Sequence, residues 1–221
     1  MNKYLKFYFY LPLFFLYLFL LVSFYPTIFI IKLVILSIFI FSFASIYFLI
    51  KQDFRTDWPM AAEFTLFSLS SFLFLLSVAS PFLRYIFLIF FLTILGLFLF
   101  FLSRKKFSPR LYKPGSLEKV DDIIQGLIIF TALVNLDFAR LFYNFPFILV
   151  LGFVFLLFIW IFYYSFHQFD FIFGLISVEL YLSLSFFPFQ IYLNSLIFLM
   201  LYYIINYLWF GKQKKLLGLK I

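Results

Sequence analysis

The sequence predicts an all-α protein, a polytopic bundle of about eight transmembrane helices with both termini in the cytoplasm. Three observations predict this class. Hydrophobic residues make up 67% of the 221 residues and charged residues only 12%, whereas soluble domains have about half and about a quarter. Apolar runs of about 20 residues, the length that crosses the hydrocarbon core of a bilayer, recur along the whole chain. Lys and Arg are concentrated in alternate connections between these runs.

Charges, Pro residues and polar clusters divide the chain into eight apolar runs. The predicted spans are residues 7–25, 28–50, 60–80, 82–102, 123–143, 145–166, 169–187 and 191–210. The first run follows Lys3 and Lys6, and no small-x-small cleavage site precedes Pro26. We therefore expect an uncleaved first span rather than a signal peptide. The chain is predicted to form one integral membrane domain over residues 1–221.

The basic residues predict the orientation of these spans. Of the 17 Lys and Arg residues, 14 fall in the ends and connections on the N-terminal side, and only Lys32, Arg84 and Arg140 fall on the opposite side. Cytoplasmic connections carry the excess of Lys and Arg. We therefore expect an N-in, C-in protein of a bacterial cytoplasmic membrane. The formal net charge of +8 is explained by this asymmetry, so we expect no nucleic-acid partner.

The connections differ in length on the two sides. Each predicted outer turn contains a Pro near the start of the returning helix, where a missing N–H costs little: Pro26, Pro81, Pro146 and Pro188. The longest connection, residues 103–122, is basic and predicted to be a cytoplasmic loop on the membrane surface. Its charges either bind anionic lipid or only determine the topology. The residues concerned are Arg104, Lys105, Lys106, Arg110 and Lys113.

Glu179 is the leading candidate for a functional residue inside the membrane. It lies ten residues into the seventh predicted span, about 15 Å deep and near the midplane. A charged side chain at that depth costs about 2.5–3.5 kcal/mol, so such residues are functional candidates by default. Two interpretations are open, a hydrogen-bonded Glu that fixes helix packing and a carboxyl used in transport or catalysis.

The fifth predicted span contains the other candidates, Asn135, Asp137 and Arg140. Asp137 and Arg140 are three residues apart, which predicts an intrahelical ion pair near the outer interface. The alternative is an outward-opening pocket for an anion, which Lys32 and Arg84 would complete. Glu63, four residues into its predicted span, is expected at the interface near a helix N-terminus.

The sequence lacks the motifs of most enzyme classes. The chain has no Cys and one His, so thiolate and most zinc and haem sites are excluded. No metalloprotease, P-loop, dinucleotide-binding or serine-hydrolase motif occurs. We expect no cofactor, no metal site and no catalytic residue that these motifs would identify.

Two segments carry a resemblance to a known group of proteins. Residues 53–64 read DFRTDWPMAAEF and residues 179–188 read ELYLSLSFFP. With these segments the chain resembles uncharacterised multi-pass membrane proteins of small, AT-rich bacterial genomes of the candidate phyla. The resemblance implies a cytoplasmic-membrane protein and no particular activity.

Three functions are compatible with the sequence. The first is a structural or assembly subunit that binds a membrane protein partner or a second copy of itself, in contact with the lipid bilayer. The second is a small transporter that uses Glu179 as an intramembrane carboxylate. The third is a lipid-modifying membrane enzyme. The short loops and the few polar residues within the spans favour the first.

Overall fold

The chain folds into α-helices, and no strand occurs in the part that the structure describes. The structure is a computed structural model that describes residues 3–25, 27–50, 54–107, 116–166, 171–186 and 190–216. The eight helices in these ranges are α1 (Lys3–Phe24), α2 (Ile28–Ile50), α3 (Phe54–Ser77), α4 (Pro81–Phe107), α5 (Ser116–Tyr143), α6 (Phe147–Phe166), α7 (Phe171–Ser185) and α8 (Ile191–Leu216). The prediction of an all-α protein is thus confirmed.

Two helical stretches, Pro81–Leu102 and Val120–Tyr143, are long and apolar enough to cross a membrane. The other helices contain apolar stretches of 10–17 residues within the part whose side chains are described. Length and composition therefore give a first indication of membrane association.

The helix starts follow ordinary capping chemistry. Thr27 and Ser80 precede α2 and α4, and their side-chain oxygens accept hydrogen bonds from the backbone N–H groups of Ile30 and Leu83. Such caps satisfy N–H groups that have no partner within the helix. Pro81 is the first residue of α4 and Pro146 directly precedes α6, so each lies at the start of a helix as predicted. Pro26 and Pro188 lie outside the described residues.

The third helix begins earlier than the sequence predicts. It starts at Phe54 rather than at residue 60. The predicted span is limited to apolar residues, whereas a helical backbone also continues through charged residues. Glu63 is therefore the tenth residue of α3, and it is only 2% exposed. The expectation that Glu63 lies near a helix N-terminus is wrong, and its expected position at the membrane interface stays a prediction.

The chain divides into two compact units, Met1–Ile128 and Ile129–Ile221, and the division falls within α5. In the first unit, α2 packs against α3, and α1 packs against α2 and α4. Aromatic pairs join α3 to α4, with ring centroids 5.8 Å apart for Phe64 and Phe98 and 6.0 Å apart for Phe67 and Phe91. Many Phe residues are thus core residues here.

In the second unit, α7 packs against both α6 and α8. Its core combines residues from four helices: Ile129, Leu133, Val150, Val154, Phe158, Ile161, Phe173, Tyr181, Leu184, Phe198 and Tyr202. Phe158 is completely buried, and its ring centroid lies 5.2 Å from those of both Phe198 and Tyr202. This core holds α7 with one face inward, and that orientation decides where the polar residues of α7 point.

The contact between α6 and α7 depends on Gly174. A Cβ atom built there lies 2.9 Å from ring carbons of Phe155 and 3.0 Å from Ile159 Cγ1, whereas one built at Gly152 meets nothing within 4 Å. We expect Gly174→Ala to be less stable than the matched Gly152→Ala variant by about 1 kcal/mol, because the Phe155 ring must move. Thermal unfolding in detergent measures the difference. Equal stability of the two variants would contradict this close approach.

Candidate functional site

A buried polar cluster joins α5 to α7 in the second unit. Asp137 is 5% exposed and accepts a hydrogen bond at Oδ1 from the Tyr181 hydroxyl. Arg140 lies one helical turn further along α5, and its Nη2 is 3.8 Å from the same oxygen. The Arg140 guanidinium also lies over the Phe147 ring, 5.2 Å from its centroid. The structure thus contains the intrahelical pair that the i, i+3 spacing predicts, together with a hydrogen bond from a second helix.

The sequence did not single out Tyr181 as a partner of Asp137. The one available signal is depth, since Asp137 lies six residues before the end of α5 and Tyr181 four residues before the end of α7. At 1.5 Å per residue these positions are about 9 and 6 Å from the helix ends. Similar depth permits a contact between two helices, but which helices are neighbours depends on packing.

A small cavity adjoins this cluster. It has a volume of about 10 Å³, close to the minimum of about 10–15 Å³ that holds one water molecule. Three helices supply its lining: Leu133, Asp137, Tyr181, Leu184, Ser185, Asn194, Ser195 and Phe198. Polar residues of α5, α7 and α8 therefore line the same cavity within the second unit.

Two polar residues of α8, Asn194 and Ser195, also line the cavity. The sequence did not single them out. Ser195 is 2% exposed. Its Oγ and the Oδ1 of Asn194 are buried and have no hydrogen-bond partner within the described part of the chain. Asn194 and Ser195 are the fourth and fifth residues of α8, and single polar residues near a helix start are ordinary in a sequence, so neither gives a signal.

Glu179 does not join the cluster. Its side chain is exposed on α7, and Tyr181, two residues on, is 4% exposed. Residues two apart on a helix point in nearly opposite directions, so Glu179 and the Asp137 cluster occupy different faces of α7. The Ser183 hydroxyl donates to the backbone carbonyl of Glu179 at 2.8 Å and not to its carboxyl.

The remaining predicted site residues have separate environments. Asn135 is half-buried on α5, two residues before Asp137 and so on another side of the helix. Lys32 is exposed on α2. Arg84 donates from Nε and Nη2 to the Val78 carbonyl, at 3.1 and 2.7 Å, and so satisfies a carbonyl of the turn that follows α3.

The candidate lipid-binding residues are not tested. Arg104, Lys105 and Lys106 belong to the last turns of α4, but their side chains lie outside the described part of the structure. Arg110 and Lys113 lie outside the described residues altogether. The expectation that this basic segment contacts anionic lipid stays a prediction.

The chemistry that the cluster supports is limited by its composition. The Arg140 guanidinium lies near the carboxylate of Asp137, and Tyr181 supplies a hydrogen bond, so the charge is compensated within the protein. Within the described ranges, no three His, Cys, Asp or Glu side chains come close enough to hold a metal ion. The arrangement is suited to joining α5, α7 and α8. Glu179 is not part of it and lies as an exposed carboxyl on the outside of the unit.

The chain was compared with known proteins at three levels. No family model matches it, and neither a curated protein nor a solved structure is similar to it. The fold and the composition therefore define the class of this protein. It is an all-α protein with two helices of membrane-spanning length among the described residues.

Proposed function

We propose that this protein is a multi-pass subunit of a bacterial cytoplasmic membrane with a structural or partner-binding role, and that Glu179 marks the surface where the partner binds. One observation carries the proposal. The Glu179 carboxyl lies in the middle of α7, on the exposed side of the helix. No hydrogen bond or ion pair joins it to the part of the chain that the structure describes.

Helix length supports the multi-pass assignment. Seven of the eight described helices have 20–28 residues, and α7 has 15. A helix of 20 residues is about 30 Å long, the thickness of the hydrocarbon core. Both units also expose large apolar side chains, as Phe29 at 74% and Ile148 at 77% illustrate. Extensive exposed apolar surface is typical of proteins surrounded by lipid and rare in soluble monomers.

The partner surface consists of Ile172, Leu175, Glu179 and Ser183 on the exposed face of α7, together with Phe186 in the turn that follows. All five side chains are exposed. The spacings of three and four residues between Ile172, Leu175, Glu179 and Ser183 place these four along one side of the helix. Large apolar residues flank a central carboxyl and hydroxyl. A neighbouring helix packed on this face would cover the apolar residues by close contact and supply a hydrogen bond to Glu179.

Energetics favour such a partner. A carboxyl facing lipid near the midplane costs about 2.5–3.5 kcal/mol, and a hydrogen bond from a second transmembrane helix offsets part of that cost. The transporter and enzyme hypotheses both require Glu179 to share a polar site with other groups. Glu179 does not line the cavity that contains Asp137 and Tyr181, so these hypotheses gain no support from that cluster.

Assembly size tests the proposal. We expect the protein mass of the particle extracted in a mild detergent to exceed that of the 26.7 kDa chain, and Glu179→Leu to release the single chain. Glu179→Gln, which retains hydrogen-bonding groups, is expected to keep part of the assembly. Native mass spectrometry measures the protein content of the particle and identifies the partner as a second copy or another protein.

Thr93→Leu is the matched control. Thr93 is an exposed polar residue of α4 whose hydroxyl donates to the Ile89 carbonyl at 2.8 Å, so its replacement removes polarity from a helix surface without affecting α7. It should leave the assembly intact. A wild-type protein that is already a single chain, or an assembly that Glu179→Leu leaves unchanged, would contradict the proposal.

The orientation has its own test. In this Cys-free chain, a single Cys at position 113 is expected to react with a membrane-impermeant reagent only from the cytoplasm. A single Cys at position 190 should react only from outside, because the basic connections remain in the cytoplasm. Labelling of intact cells and of inverted vesicles distinguishes the two sides. The reverse pattern would overturn the N-in, C-in orientation.

A further inference from the structure

We propose that the cavity between Asp137 and α8 is a binding site for one water molecule, which joins α8 to the pair formed by α5 and α7. This site is separate from the exposed face of α7. Its test therefore does not depend on whether that face binds a partner.

The hydrogen-bonding groups around the cavity are complementary to water. The contacts that join the Asp137 carboxyl to Tyr181 and Arg140 are both made at Oδ1, which leaves Oδ2 as a further acceptor on the same side chain. Asn194 contributes an unpaired buried oxygen, and Ser195 an unpaired buried hydroxyl. The residues that line the cavity thus offer two acceptor oxygens and one hydroxyl, a set in which acceptors exceed donors.

One water molecule satisfies all three groups. Its two hydrogens are donated to Asp137 Oδ2 and Asn194 Oδ1, and its oxygen accepts the hydrogen of Ser195 Oγ. Buried waters typically make about three hydrogen bonds to polar groups that otherwise have no partner. The volume of about 10 Å³ holds one such molecule and no larger ligand.

Charge favours water over a cation. The Arg140 Nη2 lies 3.8 Å from Asp137 Oδ1 and already compensates the carboxylate. A sodium ion in the cavity would add a second positive charge to a buried site, where the cost of an uncompensated charge is high. A neutral molecule that both donates and accepts hydrogen bonds avoids this cost.

Hydroxyl-radical footprinting by X-ray radiolysis in H₂¹⁸O tests the proposal on the wild-type protein in nanodiscs. Radicals formed from a bound water modify the side chains beside it. We expect ¹⁸O incorporation at Tyr181, which is 4% exposed and lines the cavity, and none at Tyr202, which is 6% exposed and does not. Equal incorporation at the two residues would overturn the proposal.

Two serines provide a matched pair of variants. Ser42 is completely buried, and its Oγ has no partner among the described residues, but it does not line the cavity. We expect Ser195→Ala to lower the Tm by about 2–4 °C, because the water loses a donor, and Ser42→Ala to leave the Tm unchanged or raise it. Ser195→Val, which also fills the cavity, should abolish the modification of Tyr181.

Two further results would contradict a water site. If Ser195→Ala leaves the Tm unchanged or raises it, as is expected for Ser42→Ala, the Ser195 hydroxyl holds no ligand. If the wild-type protein is more stable in sodium than in potassium at equal ionic strength, and Ser195→Ala removes that difference, the ligand is a cation. If the Ser195 variants do not fold, the comparison of Tyr181 with Tyr202 in the wild-type protein still decides the question.

Discussion

Replacing Asp137 with leucine is expected to lower the free energy of unfolding by about 3–5 kcal/mol, the usual effect of removing one partner of a buried ion pair. The variant leaves the Arg140 guanidinium, whose Nε is buried and already without a partner in the described chain, with no carboxylate. It also leaves the Tyr181 hydroxyl without its acceptor. Unfolding measured in SDS and detergent mixtures gives the value.

A double variant separates the two contributions. In Asp137→Leu with Arg140→Leu, no uncompensated charge remains, so we expect part of the lost stability to return. A double variant that is as unstable as the sum of the two single variants would show that the two residues do not interact. The distance of 3.8 Å between Nη2 and Oδ1 would then have no energetic meaning.

Tyr181→Phe is expected to have the second largest effect, a loss of about 1.5–3 kcal/mol, because a hydrogen bond to a charged group is stronger than a neutral one. The ring remains in the core, so the variant removes only the hydroxyl that donates to Asp137. The same SDS unfolding assay measures the change.

Tyr202→Phe is the matched control for that measurement. The Tyr202 ring packs against Phe158 and Phe173, with centroids 5.2 and 5.7 Å away, and its hydroxyl makes no hydrogen bond within the described part of the chain. We expect this variant to change stability by less than about 0.5 kcal/mol. Equal losses in the two Phe variants would show that the contact between α5 and α7 contributes nothing specific.

Much of the fold follows from the sequence because apolar runs of membrane length have few alternatives. The predicted span 28–50 coincides with α2, and the predicted ends of the fifth and sixth spans coincide with the ends of α5 and α6. The differences occur at polar ends. α5 begins at Ser116 rather than at residue 123 because Glu118, Asp121 and Asp122 suit the first turns of a helix, although they do not suit a span.

The site was less predictable than the fold. The pair between Asp137 and Arg140 could be predicted because both residues lie on one helix, where spacing determines proximity. The contacts with Tyr181, Asn194 and Ser195 join different helices, and hydrophobicity alone does not determine how apolar helices rotate against each other. The environment of Glu179 depends on the same rotation.

The packing of α7 changes how its carboxyl is interpreted. Gly174, Ser177 and Tyr181 face the core of the second unit, and Ser177 satisfies its hydroxyl on the Phe173 carbonyl at 2.9 Å. The polar side chains on the inward face thus have hydrogen-bond partners within the protein, while Glu179 points outward. The proposed role as a partner-binding subunit follows from this division between the two faces.

Site-specific photo-crosslinking along α7 in native membranes tests that role most directly. With a photoreactive amino acid placed singly at positions 172, 175, 179 and 183, we predict cross-links to another polypeptide chain, and none from positions 173, 177 and 181. Such a pattern, with the period of a helix, would place a partner on the exposed face of α7. Cross-links to lipid alone, or only within the same chain, would contradict the account.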